Sequence, residues 1–571
     1  MNDIKQGLSV STGVAIARIH HLFDLPQVVI EKRGKGLAFE QERLKNALAE
    51  AVKELEALAN HAKEKVGHDE SNIFNAQALM LKDPMVLDVS FKKLEKHNYN
   101  APYAFRTTMS EMIDLFEVSD NLYTKERVSD LKDITKRVLN ILSEKKEDLK
   151  EINEDVILVA EELYPSITVQ LDKTHIKGII TERGSKTSHS AILARQLGIP
   201  AITGVKVSEF IEGEIAIIDA KKGLVILNPS VSYIENYLSI VKNIEAQNEL
   251  YMKTKDLPAK TMDGKEIKLN ANIGSVDDLV HAHSFGADGI GLLRTENQYM
   301  ESTNFPTEEE LYTFYKEALE EFKDSKVVVR TLDIGGDKDV AYLNRKQEVN
   351  PFLGHRGIRY SLGYPSLFKT QLRALLRASN YGNLNVMFPM ISTVDEVLEA
   401  KKIIKEAKES LHEEFVEVKS PKIGIMIEVP SAALFVDRFS KHIDFVSIGT
   451  NDLIQYLFAA DRMNDKISYL YQPYHPVLLE TIAKIVKDAH KNGIKVSVCG
   501  EMAGHPKQAL LLLGLGVDEL SMNAIQIPEI KYLISKTNAL DLEKLARKAV
   551  KLDTNKEVQE LIEKYIEKLA I

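Results

Sequence analysis

From residue 259 to the C-terminus, short apolar runs alternate with amphipathic stretches eight times, and this rhythm constrains the chain more than any other feature. The runs fall at 267–272, Ile290–Leu293, 327–330, 385–388, 423–427, Phe445–Ile448, 495–499 and 519–521. They are too short for helices and read as strands buried on both faces. Eight strand–helix units in roughly 310 residues predict a (β/α)8 barrel, whose reactive side chains stand at the carboxyl ends of the strands.

The preceding half is built differently. Strands are expected at 156–160, 176–181, 214–219 and 224–227, alternating with a helix after His189, which is α/β patterning. Two β-like pieces at 7–20 are expected to join that sheet. Between them lies a helical stretch: Leu44, Leu48, Val52, Leu55 and Ala59 recur at helical spacing from Leu37 to about Val66, and Leu131, Ile134, Val138 and Ile141 share a face further on. The expected organisation is therefore α/β multidomain. An α/β domain at 1–30 and 147–230 carries an inserted helical bundle at 31–146. A linker helix at 231–258 leads to the barrel at 259–571. A length of 571 residues agrees with three or four such units.

Composition removes several function classes. A formal net charge of −10 argues against general binding to nucleic acid or an anionic membrane. No run of apolar residues is long enough to span a bilayer, and Met1-Asn2-Asp3-Ile4-Lys5 lacks the core of a signal peptide. The one cysteine, Cys499, forbids an intrachain disulfide and fits a reducing cytoplasm. His281-x-His283 reads as a surface pair on a helix, not a zinc site.

Two places carry chemistry. Residues 181–195 set His189 between an apolar β run and an amphipathic helix, with Gly184 before the turn and Thr187 and Ser188 as N-cap residues. Unpaired N–H groups at a helix start favour a phosphate, and neutral imidazole is a competent nucleophile near pH 7. In the barrel, the strand ends bring Arg294, Arg330, Lys338 and Arg462 together with Glu428, Asp452 and Cys499. Arginine and lysine match phosphate and carboxylate, two carboxylates suit Mg2+, and a thiol whose pKa moves toward neutrality can protonate carbon.

These motifs together resemble the enzyme I family of the bacterial sugar phosphotransferase system. The Gly184…Thr187-Ser188-His189 segment resembles a wider superfamily that includes pyruvate phosphate dikinase and phosphoenolpyruvate synthase. More specific are Asp333-Ile334-Gly335-Gly336-Asp337-Lys338, Asn350-Pro351-Phe352-Leu353-Gly354 and Ser447-Ile448-Gly449-Thr450-Asn451-Asp452-Leu453. The resemblance implies a swivelling phosphohistidine domain and a barrel that binds phosphoenolpyruvate. Arg294, Arg330, Lys338 and Arg462 would hold the phosphate, Asn451 and Asp452 would anchor the ligand, and Arg356 would join the basic surround. Glu428 and Asp452 would bind Mg2+. Cys499 would protonate the enolate as pyruvate forms. His189, hydrogen-bonded by Thr168, would take the phosphoryl group and pass it to the carrier protein HPr, docked on the helical insertion. A homodimer through the barrel is implied as well.

Three positions depart from the family pattern: Ser185 in the histidine turn, Asn297 in place of an aromatic, and Gln77 where histidine is frequent, the last expected to alter carrier affinity. Three other readings compete. A dikinase or synthase would need a large ATP-binding domain, and no Gly-rich nucleotide loop is present. A nitrogen-linked regulatory paralogue would carry a further sensory domain. An inactive scaffold would not need the charged set.

Overall fold

The computed structural model describes residues 3–22, 33–65, 68–118, 122–143, 152, 154–168, 174–184, 191, 194–195, 198–300, 304–336, 348–462 and 464–569. They form two compact units that divide at Ala246 and Gln247.

The first unit contains an eight-stranded mixed sheet. Its order is Asp3–Gln6, Leu224–Leu227, Ile215–Asp219, Val14–His21, Val156–Ala160, Ile176–Thr181, Ala201–Thr203 and Leu8–Ser11. Val14–His21 runs parallel to Val156–Ala160, with Arg18 opposite Val156. Among the described residues, five helices lie in the chain between these neighbours: Leu37–Lys65, His68–Lys82, Pro84–His97, Ala101–Glu117 and Leu122–Leu142. Their apolar stripes meet in a separate core, where Leu44, Leu55, Phe74, Phe105, Ile134 and Val138 are fully buried. The central strands cover both faces of the sheet. Leu158 and Ile179 pack on one side and Ile157, Ile180 and Ile218 on the other. The long helix Val231–Lys253 begins against this unit, its Tyr237 packing on Ile217 and Ile226 and donating to Asp219 Oδ2 at 3.0 Å.

In the second unit, the eight parallel strands are Lys268–Ile273, Ile290–Leu293, Lys326–Arg330, Asn383–Phe388, Lys422–Ile427, Phe445–Ile448, Lys495–Val498 and Glu519–Met522. The eighth pairs with the first, closing the barrel. Period-two alternation sorts the side chains. Val327 and Val329, Val386 and Phe388, and Ile425 and Ile427 face the surrounding helices. Leu292, Val328, Met387, Met426, Phe445 and Cys499 pack together in the barrel interior. Gly424 makes room there, since a Cβ would stand 2.5 Å from the Phe445 ring. At the start of this unit, the Lys531 ammonium donates to the carbonyls of Lys255 and Gly286, fastening the segment that follows the long helix.

Candidate active site at the strand ends

The inward phase that places Leu292, Val328 and Met426 inside the barrel leads, two residues further along the chain, to Arg330 at the end of its strand and to Arg294 and Glu428 just past theirs. Asn270, Ser447, Ser497, Glu519 and Ser521 are buried beside this apolar set along the strands, and the arginines and Glu428 gather where the strands end.

Arg330 is buried. Its Nη2 donates to Glu296 Oε1 at 2.7 Å and its Nη1 lies 3.2 Å from Asp333 Oδ2, while its Nε is buried without a protein partner. The strand end is braced from behind. Thr295 Oγ1 donates to the Arg330 carbonyl at 3.1 Å, and Gln371 accepts from Leu332 N–H at 3.1 Å and donates to Tyr315 at 3.0 Å. Asp333 has no exposed surface and also faces Arg356.

Arg356 is 1 % exposed, and all five of its N–H bonds are engaged. Two reach Asp333 at 3.2 Å each, two reach the two oxygens of Asp452 at 3.0 and 3.1 Å, and the fifth, on Nη1, lies 3.3 Å from the Tyr456 hydroxyl. Resemblance placed Arg356 in the basic surround of the substrate. Here its hydrogen bonds go to protein acids, because a buried guanidinium between two carboxylates is satisfied by them first. Gly335 makes the approach possible. Its φ is +120°, and a Cβ there would come within 2.8 Å of the Arg356 Cβ.

Glu428 is fully buried. Its Oε1 accepts from the Met390 N–H, and its Oε2 has no protein partner. Burial first, and then the charges of Asp452 and Asp333, push its carboxyl up to about 8 against the opposing pull of Arg356 and Arg330. Among the described residues, no group of three or more His, Cys, Asp and Glu is disposed around a metal position. Two carboxylates remain: the unpartnered Glu428 oxygen and Asp452, whose oxygens keep lone pairs beyond those used by Arg356. Hard oxygen donors few in number suit Mg2+, which keeps waters and takes substrate oxygens as further ligands.

Cys499 lies 5 % exposed beside Ser447, with Sγ 3.8 Å from the Ile448 carbonyl. Burial pushes the thiol up, outweighing Ser447 and the positive charges of Arg330 and Arg294. The expected drift toward neutrality is thus corrected: the dry barrel interior disfavours the thiolate. Asn272 donates to the Cys499 carbonyl at 3.1 Å and is itself held by Ser521 at 2.6 Å. Asn451 is half-buried and accepts from the Glu501 N–H at 3.1 Å. Arg294 is exposed at the mouth. Arg462 is half-buried, its N–H on Gln455 at 3.0 Å and its charge felt at Tyr471 along with that of Asp452.

Other expected residues stand elsewhere. His189, Ser185 and Lys338 lie outside the described residues, and Thr168 ends the short helix Pro165–Thr168. Asn297 donates to the Gly274 carbonyl at 3.2 Å. Gln77, expected to tune carrier binding, is wholly buried between Asp130 and Asp133. Sequence reasoning missed the roles of Asp333 and Glu296. The signal for Asp333 was its i+3 spacing from Arg330, though its partners depend on the fold.

Comparison with known proteins assigns three consecutive segments. Residues 6–127 match the N-terminal domain of PEP-utilising enzymes, 152–223 their mobile domain, and 248–539 their PEP-binding domain. Among curated proteins, one from Geobacillus stearothermophilus is 45% identical over 98% of this chain and 97% of its own length. One from Bacillus subtilis (strain 168) is 43% identical, covering 98% of each chain. One from Staphylococcus aureus (strain MRSA252) is 42% identical over 99% of this chain and 100% of its own. Each is named phosphoenolpyruvate-protein phosphotransferase.

Proposed function

The chain belongs to the phosphoenolpyruvate-protein phosphotransferases, the enzyme I family, and from that premise we propose a division of labour between its two units. The enzyme moves a phosphoryl group from phosphoenolpyruvate to protein. Residues 259–571 bind phosphoenolpyruvate, His189 in the α/β domain (1–30 and 147–230) accepts the phosphoryl group, and HPr docks on the helical insertion at 31–146. The segment at 231–258, whose helix is Val231–Lys253, connects the halves. The observation that carries this reading is the inward column of Arg330, Glu428 and Cys499 at the strand ends, with one Glu428 oxygen buried and unpartnered.

Phosphoryl transfer needs alignment and charge neutralisation more than covalent help. Arg294, Arg330, Lys338 and Arg462 supply the cationic surround, and Asn451 orients the substrate. Arg356 adds its charge while its hydrogen bonds hold Asp333 and Asp452 in place. Glu428 and Asp452 would hold Mg2+, which neutralises the phosphate and the enolate oxygen when bound. The bond from phosphorus to the enol oxygen breaks as one forms to an imidazole nitrogen of His189. Thr168 orients that ring. The Cys499 thiol gives its proton to the enolate carbon, leaving pyruvate, and is reprotonated from water. A buried thiol that stays protonated is suited to that step. Exposed Leu79, Met85 and Leu115 on the helical bundle support its use as the docking face for a small carrier. No described helix is long and apolar enough to cross a membrane, which agrees with a cytoplasmic site of action. A homodimer through the barrel completes the reading.

Glu428→Gln tests it. The variant should lose Mg2+-dependent labelling from labelled phosphoenolpyruvate, by about 100-fold or more for a misassembled phosphate site. It should still take label from phosphorylated HPr. Undiminished labelling from phosphoenolpyruvate would contradict the assignment.

A further inference from the structure

One face of the helix Leu122–Leu142 is spent on the segment that follows strand Val156–Ala160. Ser129, Asp133 and Lys136, spaced to share a face, meet Glu162, Ser166 and Tyr164. Ser129 Oγ donates to Glu162 at 3.2 Å, and the Lys136 ammonium sits 5.8 Å from the centre of the Tyr164 ring. Asp133 is the centre of the contact. It is 3 % exposed and accepts from the Ser166 hydroxyl at 2.6 Å, from the Ser166 N–H at 3.1 Å, and from Gln77 at 3.4 Å. Gln77 also donates to Asp130 at 3.1 Å, which is paired with Arg127.

The same segment is fastened on its other side. Glu182 and Arg183 donate their N–H groups to the carbonyls of Ala160 and Glu161 at 3.2 and 2.8 Å, and the Arg183 guanidinium pairs with the Glu161 carboxylate. Residues 182–184 precede His189 in the sequence by five to seven positions. Described contacts therefore lead from the helical bundle, through Asp133 and Ser166, to the end of strand Ile176–Thr181, which precedes His189 in sequence.

We propose that Asp133 is a positioning residue that holds the segment leading in sequence to His189 on the helical bundle, and that it serves transfer to the carrier rather than transfer from phosphoenolpyruvate. The inference rests on the reading above, in which the two half-reactions present His189 to different surfaces. Only the carrier step requires registry between the histidine and the bundle. A loosened Asp133–Ser166 contact therefore leaves the barrel step unaffected and misaligns the other. Burial pushes the Asp133 carboxyl up, against the Ser166 hydrogen bond and the Arg137 charge.

The test measures both half-reactions separately in the full chain, with labelled phosphoenolpyruvate and Mg2+ for the first and purified HPr for the second. Asp133→Ala should be labelled within about twofold of wild type but pass label to HPr slower by about tenfold or more. Asp133→Asn, which retains one acceptor for Ser166, should recover part of the second rate. Ser166→Ala removes only a hydroxyl, guards against misfolding of the aspartate variants, and should slow the same step. Equal loss in both steps, or none in either, would overturn the inference. Wild type that takes no label from phosphoenolpyruvate would instead defeat the functional reading, and this inference with it.

Discussion

Glu428 illustrates how a residue gives up stability for chemistry. Its carboxyl is raised from 4.5 to about 8 in the folded protein, so the unfolded chain releases this proton first as pH rises. Its contribution to stability is therefore fully present below about pH 4.5 and is lost on the way to about pH 8. In metal-free buffer, Glu428→Gln should melt higher than wild type, with a gap that widens up to about pH 8 and then stops growing. A gap that narrows with pH would contradict the burial argument. Cys499 gives a second prediction at this scale. Exchange for serine replaces a thiol acid by a far weaker one, and steady pyruvate formation should fall by about 100-fold, the usual span for a lost general acid. Pyruvate release at the wild-type rate would remove Cys499 from the proton step. The candidate residues were legible in the sequence because a strand's period of two carries an inward phase straight from Val328 to Arg330 and from Met426 to Glu428. Their pairing was not. Nothing local says that Arg356 meets Asp333 and Asp452, and the direction of the Cys499 shift depends on a desolvation that only the closed barrel creates.

At the scale of elements, all eight barrel strands were readable to within two residues, since each carries apolar residues at its helix-facing positions and is bounded by polar turns. Ala201–Thr203 escaped notice. It has three residues between Pro200 and Gly204, and it becomes a strand by pairing with Ile176–Thr181 and Leu8–Ser11. Asp3–Gln6 was equally hidden, being polar at three of four positions and held at a sheet edge by Leu224–Leu227. Tyr237 fastens the beginning of the long helix to Asp219, and Lys531 grips the carbonyl of Lys255 just past its end. The helical bundle yields a prediction of its own. Leu79 and Leu115 are each 68 % exposed, so Asp at either position should cost the fold little. Leu79→Asp and Leu115→Asp should each weaken HPr transfer by about tenfold, the effect of losing roughly one apolar anchor, with labelling from phosphoenolpyruvate unchanged. Unaltered transfer in both variants would move the docking face elsewhere.

For the whole molecule, the two units fold around separate cores, and the proposed function gives phosphoenolpyruvate chemistry to one and carrier recognition to the other. A single group must then serve both, and the account gives that role to the His189 imidazole. The direct measurement is incubation of wild type and His189→Ala with labelled phosphoenolpyruvate and Mg2+, followed by counting of protein-bound label. Wild type should retain close to one acid-labile phosphoryl group per chain and the variant none. Label of the same lability and amount on the variant would contradict the account.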